Sequence, residues 1–130
     1  MLRDALQAGK AKSKMWIGSS GNYIINPMVD VHCHLNFKSF NDDFDTVIKK
    51  AEEDGVEIII NTGTSLESSK RAVELAEKYE NLYAIVGIHP HHADKVSPGW
   101  DKELEEIATS SKKIVGIGEI GLDYYSYASN

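Results

Sequence analysis

Met28-Val29-Asp30-Val31-His32-Cys33-His34-Leu35 is an apolar run carrying two imidazoles two residues apart. Its valines predict a strand, and successive side chains of a strand alternate faces. On that pattern Asp30, His32 and His34 share one side, while Val29, Val31, Cys33 and Leu35 share the other. Two neutral imidazoles on one face make half of a metal site.

Reading outward, strand signals rich in Val and Ile recur at 56–61, 82–88 and 113–120. Helical periodicity fills the intervals. Phe44, Val47, Ile48 and Ala51 recur at helix spacing behind Asp42 and Asp43, with Gly55 as a stop. Leu66, Val73, Ala76 and Tyr79 do the same behind Ser65, a natural N-cap. A shorter third helix carries Leu104, Ile107 and Ala108 after Asp101. Strand and helix in alternation imply βαβ units, hence parallel strands joined by right-handed crossovers. The fold class is α/β, in the order (βα)₃β, which is half of a (β/α)₈ barrel of about 250 residues.

An open doubly wound sheet would suit the length, but the polar residues favour the barrel. His34, His89 and Glu119 all fall at or near the carboxyl ends of their strands, the rim where a barrel keeps its chemistry. An open sheet gathers its site at one switch point, usually behind a glycine-rich phosphate loop, and no GxGxxG or P-loop pattern occurs here. Glu119 lies within Gly116-Ile117-Gly118-Glu119-Ile120-Gly121, where a carboxylate in an apolar run is costly unless paired or metal-bound. His89, His91 and His92 leave the third strand for a loop containing Pro98 and Gly99, a usual place for substrate-binding groups. For His92 the simpler expectation is an exposed loop histidine.

Composition bounds the function. The 130 residues are 42% hydrophobic and 26% charged, as in an ordinary globular domain. The formal charge is −6, unevenly spread: Arg3, Lys10, Lys12 and Lys14 precede Pro27 against Asp4 alone, so the rest carries −9. So acidic a body does not coat nucleic acid by general attraction; a phosphate substrate calls for a bound cation or a local basic rim. Cys33, the single cysteine, excludes an intrachain disulfide and reads as a small buried hydrophobe. No apolar run approaches the ~20 residues that span a bilayer. Residues 1–27 read as a basic, flexible leader without a secretory core, with organelle targeting as the minority alternative. The expected location is cytoplasmic or nuclear.

Val29-Asp30-Val31-His32-Cys33-His34-Leu35-Asn36, Val86-Gly87-Ile88-His89-Pro90-His91 and Gly118-Glu119-Ile120-Gly121-Leu122-Asp123-Tyr124-Tyr125 together resemble the TatD family of metal-dependent deoxyribonucleases, TIM barrels of the amidohydrolase-like group. The resemblance implies that His32, His34 and Glu119 are metal ligands, with Glu119 able to bridge two divalent ions (Mg, Mn or Zn). It implies that His89 and His91 line a cleft for DNA, and it leaves Asp30 and Asp123 without an assigned role. Val31 stands where the family usually has a small residue. The family's later motifs, two more histidine ligands and a catalytic aspartate, have no counterpart, so residues 28–130 are expected to be the N-terminal half of a truncated barrel, weakly active alone in 3′→5′ digestion. Two alternatives stay open. One is another hydrolase of the superfamily, acting on an amide, lactone or phosphotriester, although Glu119 stands where many of those carry a carbamylated lysine. The other is a non-catalytic half-barrel that self-associates through its open sheet edges.

Overall fold

A computed structural model of the chain describes residues 16–17, 23–24 and 28–125. The sheet runs β3 (Met28–Cys33), β4 (Val56–Thr62), β5 (Leu82–Val86) and β6 (Ile114–Ile117), all parallel and in sequence order. Three helices connect them: α1 (Phe44–Glu53), α2 (Leu66–Lys78) and α3 (Trp100–Thr109). The expected (βα)₃β order is therefore present. β3, β5 and β6 are shorter than their apolar runs because each run continues into the loop beyond, where backbone pairing has stopped, whereas β4 extends one residue further, to Thr62.

Within the leader, β1 (Trp16–Ile17) pairs antiparallel with β2 (Tyr23–Ile24). The remaining leader residues lie outside the described residues.

The core lies between the sheet and its helices. Ile59, Leu82, Ala84 and Val86 from the strands meet Val47, Ile48 and Ala51 of α1, Ala72, Val73, Leu75 and Ala76 of α2, and Ile107 of α3. Each helix buries one apolar stripe, which supplies most of its stability. Ser65 caps α2 as expected, and Ser68 returns the bond: its backbone N–H donates to the Ser65 hydroxyl while its own hydroxyl accepts from the Ser65 N–H. Helix α3 starts one turn earlier than its apolar spacing indicates. Gly99 is its N-cap, and Asp101 sits inside the first turn, where a carboxylate complements the helix dipole.

The face assignment of β3 needs correction. Asp30 pairs with Ile59 and Cys33 with Asn61, so three steps on β3 match two on β4 and strict alternation breaks between them. Cys33 and Leu35 are buried as expected, but Val29 and Val31 are 49% and 63% exposed. Asp30 does not join the histidines either; its carboxylate accepts a 3.1 Å bond from the His32 backbone N–H, holding the irregular segment in place. Among the described residues no helix is long and apolar enough to cross a membrane.

Candidate metal centre

Sequence order puts the histidines at the end of β3 and Glu119 just beyond β6, three strand spacings or roughly 14 Å apart in a flat sheet. The chain closes that distance by leaving β6 early and crossing the end of β5. The Gly118 N–H donates to the Val86 carbonyl (2.9 Å), and the Glu119 N–H reaches the Gly63 carbonyl at the end of β4 (3.1 Å). Gly87 lies beneath this crossing, where an added Cβ would stand 2.5 Å from the Gly118 carbonyl carbon, a contact only glycine avoids. Ser69, fully buried on α2, pins Gly87 by accepting from its N–H (3.1 Å) and donating to its carbonyl (3.3 Å).

The result is a compact donor set at the carboxyl rim. His32 Nε2 and His34 Nε2 are 3.3 Å apart, and Glu119 Oε2 lies 3.6 Å from the first and 3.8 Å from the second. One donor atom from each of the three residues falls within 4.8 Å of the others. Around one ion with bonds of about 2.1 Å, tetrahedral ligand atoms stand about 3.4 Å apart, so the spacing fits a divalent cation. The hydrogen bonding fits as well. His34 Nδ1 lies 3.0 Å from the Thr62 carbonyl, an acceptor only, so Nδ1 carries the proton and the Nε2 lone pair is left for a ligand. Asn36, buried, donates to the same carbonyl (3.1 Å) and to that of Ser68 (2.9 Å), and the Phe37 ring stacks on the His34 imidazole at 4.5 Å.

His89 approaches the cluster from the other side, with Nε2 3.6 Å from Glu119 Oε1. Its Nδ1 accepts the His91 backbone N–H (3.1 Å), so the neutral ring carries its proton on Nε2 and presents a donor, not a metal lone pair. His91 turns instead to Asp123, Nε2 to Oδ2 at 3.1 Å, and Asp123 also accepts from the Tyr125 N–H (2.8 Å). Asp123 thereby ties the segment after Glu119 to the 3₁₀ turn Pro90–Lys95. His92, expected to be an exposed loop residue, is partly buried and bonds the Thr64 carbonyl through Nδ1 (2.9 Å).

The sequence reading passed over the end of β4. Asn61-Thr62-Gly63-Thr64 offers its carbonyls to His34, Asn36, Glu119, His89 and His92. The signal was present, since a polar, glycine-containing run ends that strand at the same rim as the others. Cys33 lies behind the sheet, donating to the Ile60 carbonyl (3.6 Å); burial, with the Asp30 charge second, pushes its thiol up to about 12.

Strand-end imidazoles and a carboxylate converging at the carboxyl rim of a parallel sheet define the class of metal-centred α/β barrel proteins. Comparison with known proteins narrows it. Residues 29–130 match the family of TatD-related DNases. Over 101 residues the chain is 37% identical to the metal-dependent hydrolase YabD of Bacillus subtilis, covering 75% of this chain and 38% of YabD. It is 36% identical over 97 residues to the 3′-5′ ssDNA/RNA exonuclease TatD of Cronobacter turicensis, covering 75% of this chain and 36% of that one. The crystal structure of the TatD homologue YjjV from Escherichia coli superposes with a TM-score of 0.70 at 36% identity, over 76% of this chain and 39% of YjjV. The chain belongs to the TatD family. It spans less than two-fifths of the length of these relatives.

Proposed function

We propose that this chain carries part of the active centre of a metal-dependent phosphodiesterase that removes nucleotides from the 3′ end of single-stranded nucleic acid. The observation that carries the reading is the convergence of His32, His34 and Glu119 donor atoms within 4.8 Å at the barrel rim. Support comes from the family match and from relatives named as ssDNA/RNA exonucleases. On this reading residues 28–130 are the N-terminal part of the hydrolase barrel and residues 1–27 a separate leader.

His32, His34 and Glu119 would hold the ion, which supplies Lewis acidity toward the phosphoryl group and a more acidic water. Mixed imidazole and carboxylate donors suit Zn²⁺ or Mn²⁺; Mg²⁺ prefers an oxygen-rich shell. The Thr62 carbonyl keeps the His34 ring oriented, so little reorganisation accompanies binding. The His89 Nε2–H points toward Glu119 and is placed to hydrogen-bond a phosphoryl oxygen entering beside that carboxylate. A cation also reconciles the acidic body with an anionic substrate.

The test is digestion of a 5′-labelled single-stranded oligonucleotide by the purified chain in Mg²⁺, Mn²⁺ or Zn²⁺. Slow shortening from the 3′ end, stopped by chelator and by His34→Ala, is expected. A product ladder that His34→Ala leaves unchanged, or no product under single-turnover excess of the chain, would reject the reading.

A further inference from the structure

A cavity of about 460 Å³ opens on the same rim, between the loop that follows β4 and the loop that joins β5 to α3. Its lining is mixed: Leu66, Ile88, Val96, Pro98 and the indole of Trp100 contribute apolar surface beside polar groups. Trp100 is the first residue of α3 and follows Gly99, whose φ of +90° turns the chain there. It is 38% exposed, so part of its ring is open to a ligand in the cavity. The charges present nearly cancel. Lys95 and Glu67 both line the cavity, and Glu103 is engaged by Lys70 at 2.6 Å. A site of this kind suits a flat, neutral, polar-edged ring better than a phosphate. His92 forms part of the wall and, with Nδ1 committed to the Thr64 carbonyl, its neutral ring offers Nε2 as an acceptor. The His92 ring lies 6.1 Å from that of His89, and His89 faces Glu119, so one line of histidines joins the cavity to the metal centre.

We infer that this cavity is a base-binding subsite: an unpaired nucleobase stacks on Trp100, and the strand continues past His92 and His89 to the His32–His34–Glu119 cluster. The inference rests on the proposed phosphodiesterase reading and adds a reason for strand selectivity. A base inside a duplex has both faces stacked and cannot reach the indole, whereas an unpaired base can.

The experiment uses the full chain with Trp16→Phe, so that Trp100 is the sole indole. It is titrated with oligothymidylate and with a blunt 20-base-pair duplex in the presence of chelator, following indole fluorescence. Quenching by the single strand alone is expected. Trp100→Ala, read by competition with a labelled oligothymidylate, should weaken binding about tenfold, and Trp100→Phe should recover most of that loss. Circular dichroism of the two variants separates lost stacking from lost fold. Quenching by duplex equal to that by single strand, or unchanged affinity in a folded Trp100→Ala chain, overturns the subsite. The two readings fail separately. Exonucleolytic digestion with Trp100 indifferent removes the subsite alone, while Trp100-dependent strand binding without any digestion sustains the subsite and removes the hydrolase reading.

Discussion

His34 shows how much of the centre is decided by a single ring. One nitrogen is committed to the Thr62 carbonyl, and the other is thereby freed to meet His32 and Glu119. The residue types were legible in the sequence, because a glutamate in an apolar run is costly without a partner and HxH at a strand end, a common enough pattern by itself, gains weight beside it. Their protonation was not, since it depends on carbonyls brought up from β4. Asp30 illustrates the same gap: its spacing matched the histidines, but an irregular register gave its carboxylate to the His32 N–H instead. At this scale Cys33 provides a check on β3. With the thiol 5% exposed and pushed up to about 12 by burial, it should resist a disulfide reagent at pH 8 and react promptly once denatured. Because folding raises this pKa above its ordinary 9.0, the stabilisation is complete below pH 9 and fades as pH climbs toward 12. Urea melts at pH 8 and 11 should therefore show lower stability at the higher pH; equal stability, or rapid labelling of the native thiol, would place Cys33 elsewhere.

Elements were largely readable because each helix buries a stripe and each strand pairs through a continuous apolar run. What periodicity does not encode is the route between elements. The crossing of Gly118 and Glu119 over β5 depends on Gly87 having no side chain and on Ser69 holding it, which involves β5, β6 and α2 at once. Gly87→Ala is the matching test. Its Cβ would meet the Gly118 backbone at 2.5 Å, so the crossing must shift and carry Glu119 with it. Helical circular dichroism should remain close to that of the parent chain while cation affinity falls about tenfold or more, the range seen when a supporting shell is disturbed. Undiminished affinity would mean that the crossing does not position the carboxylate.

For the whole molecule, the parallel order β3-β4-β5-β6 leaves β3 and β6 as outer strands among the described residues. Both bear exposed branched side chains: Val29 and Val31 on β3, Val115 and Ile117 on β6. Parallel strands are ordinarily paired and covered on both sides, and uncovered edges of this composition promote association. We expect the 130-residue chain by itself to form dimers or larger species at tens of micromolar, measured by multi-angle light scattering. A monodisperse monomer would contradict that expectation. Adding charge on an outer strand, as in Val31→Lys, should shift the distribution toward monomer.

The most direct measurement is calorimetric titration of Zn²⁺ into the wild-type chain and into Glu119→Gln and His34→Ala. If His32, His34 and the distant carboxylate hold one ion together, the wild type binds one equivalent and each variant loses at least tenfold in affinity. A Glu119→Gln chain that binds Zn²⁺ as tightly as the wild type would separate the carboxylate from the histidines and contradict the shared centre.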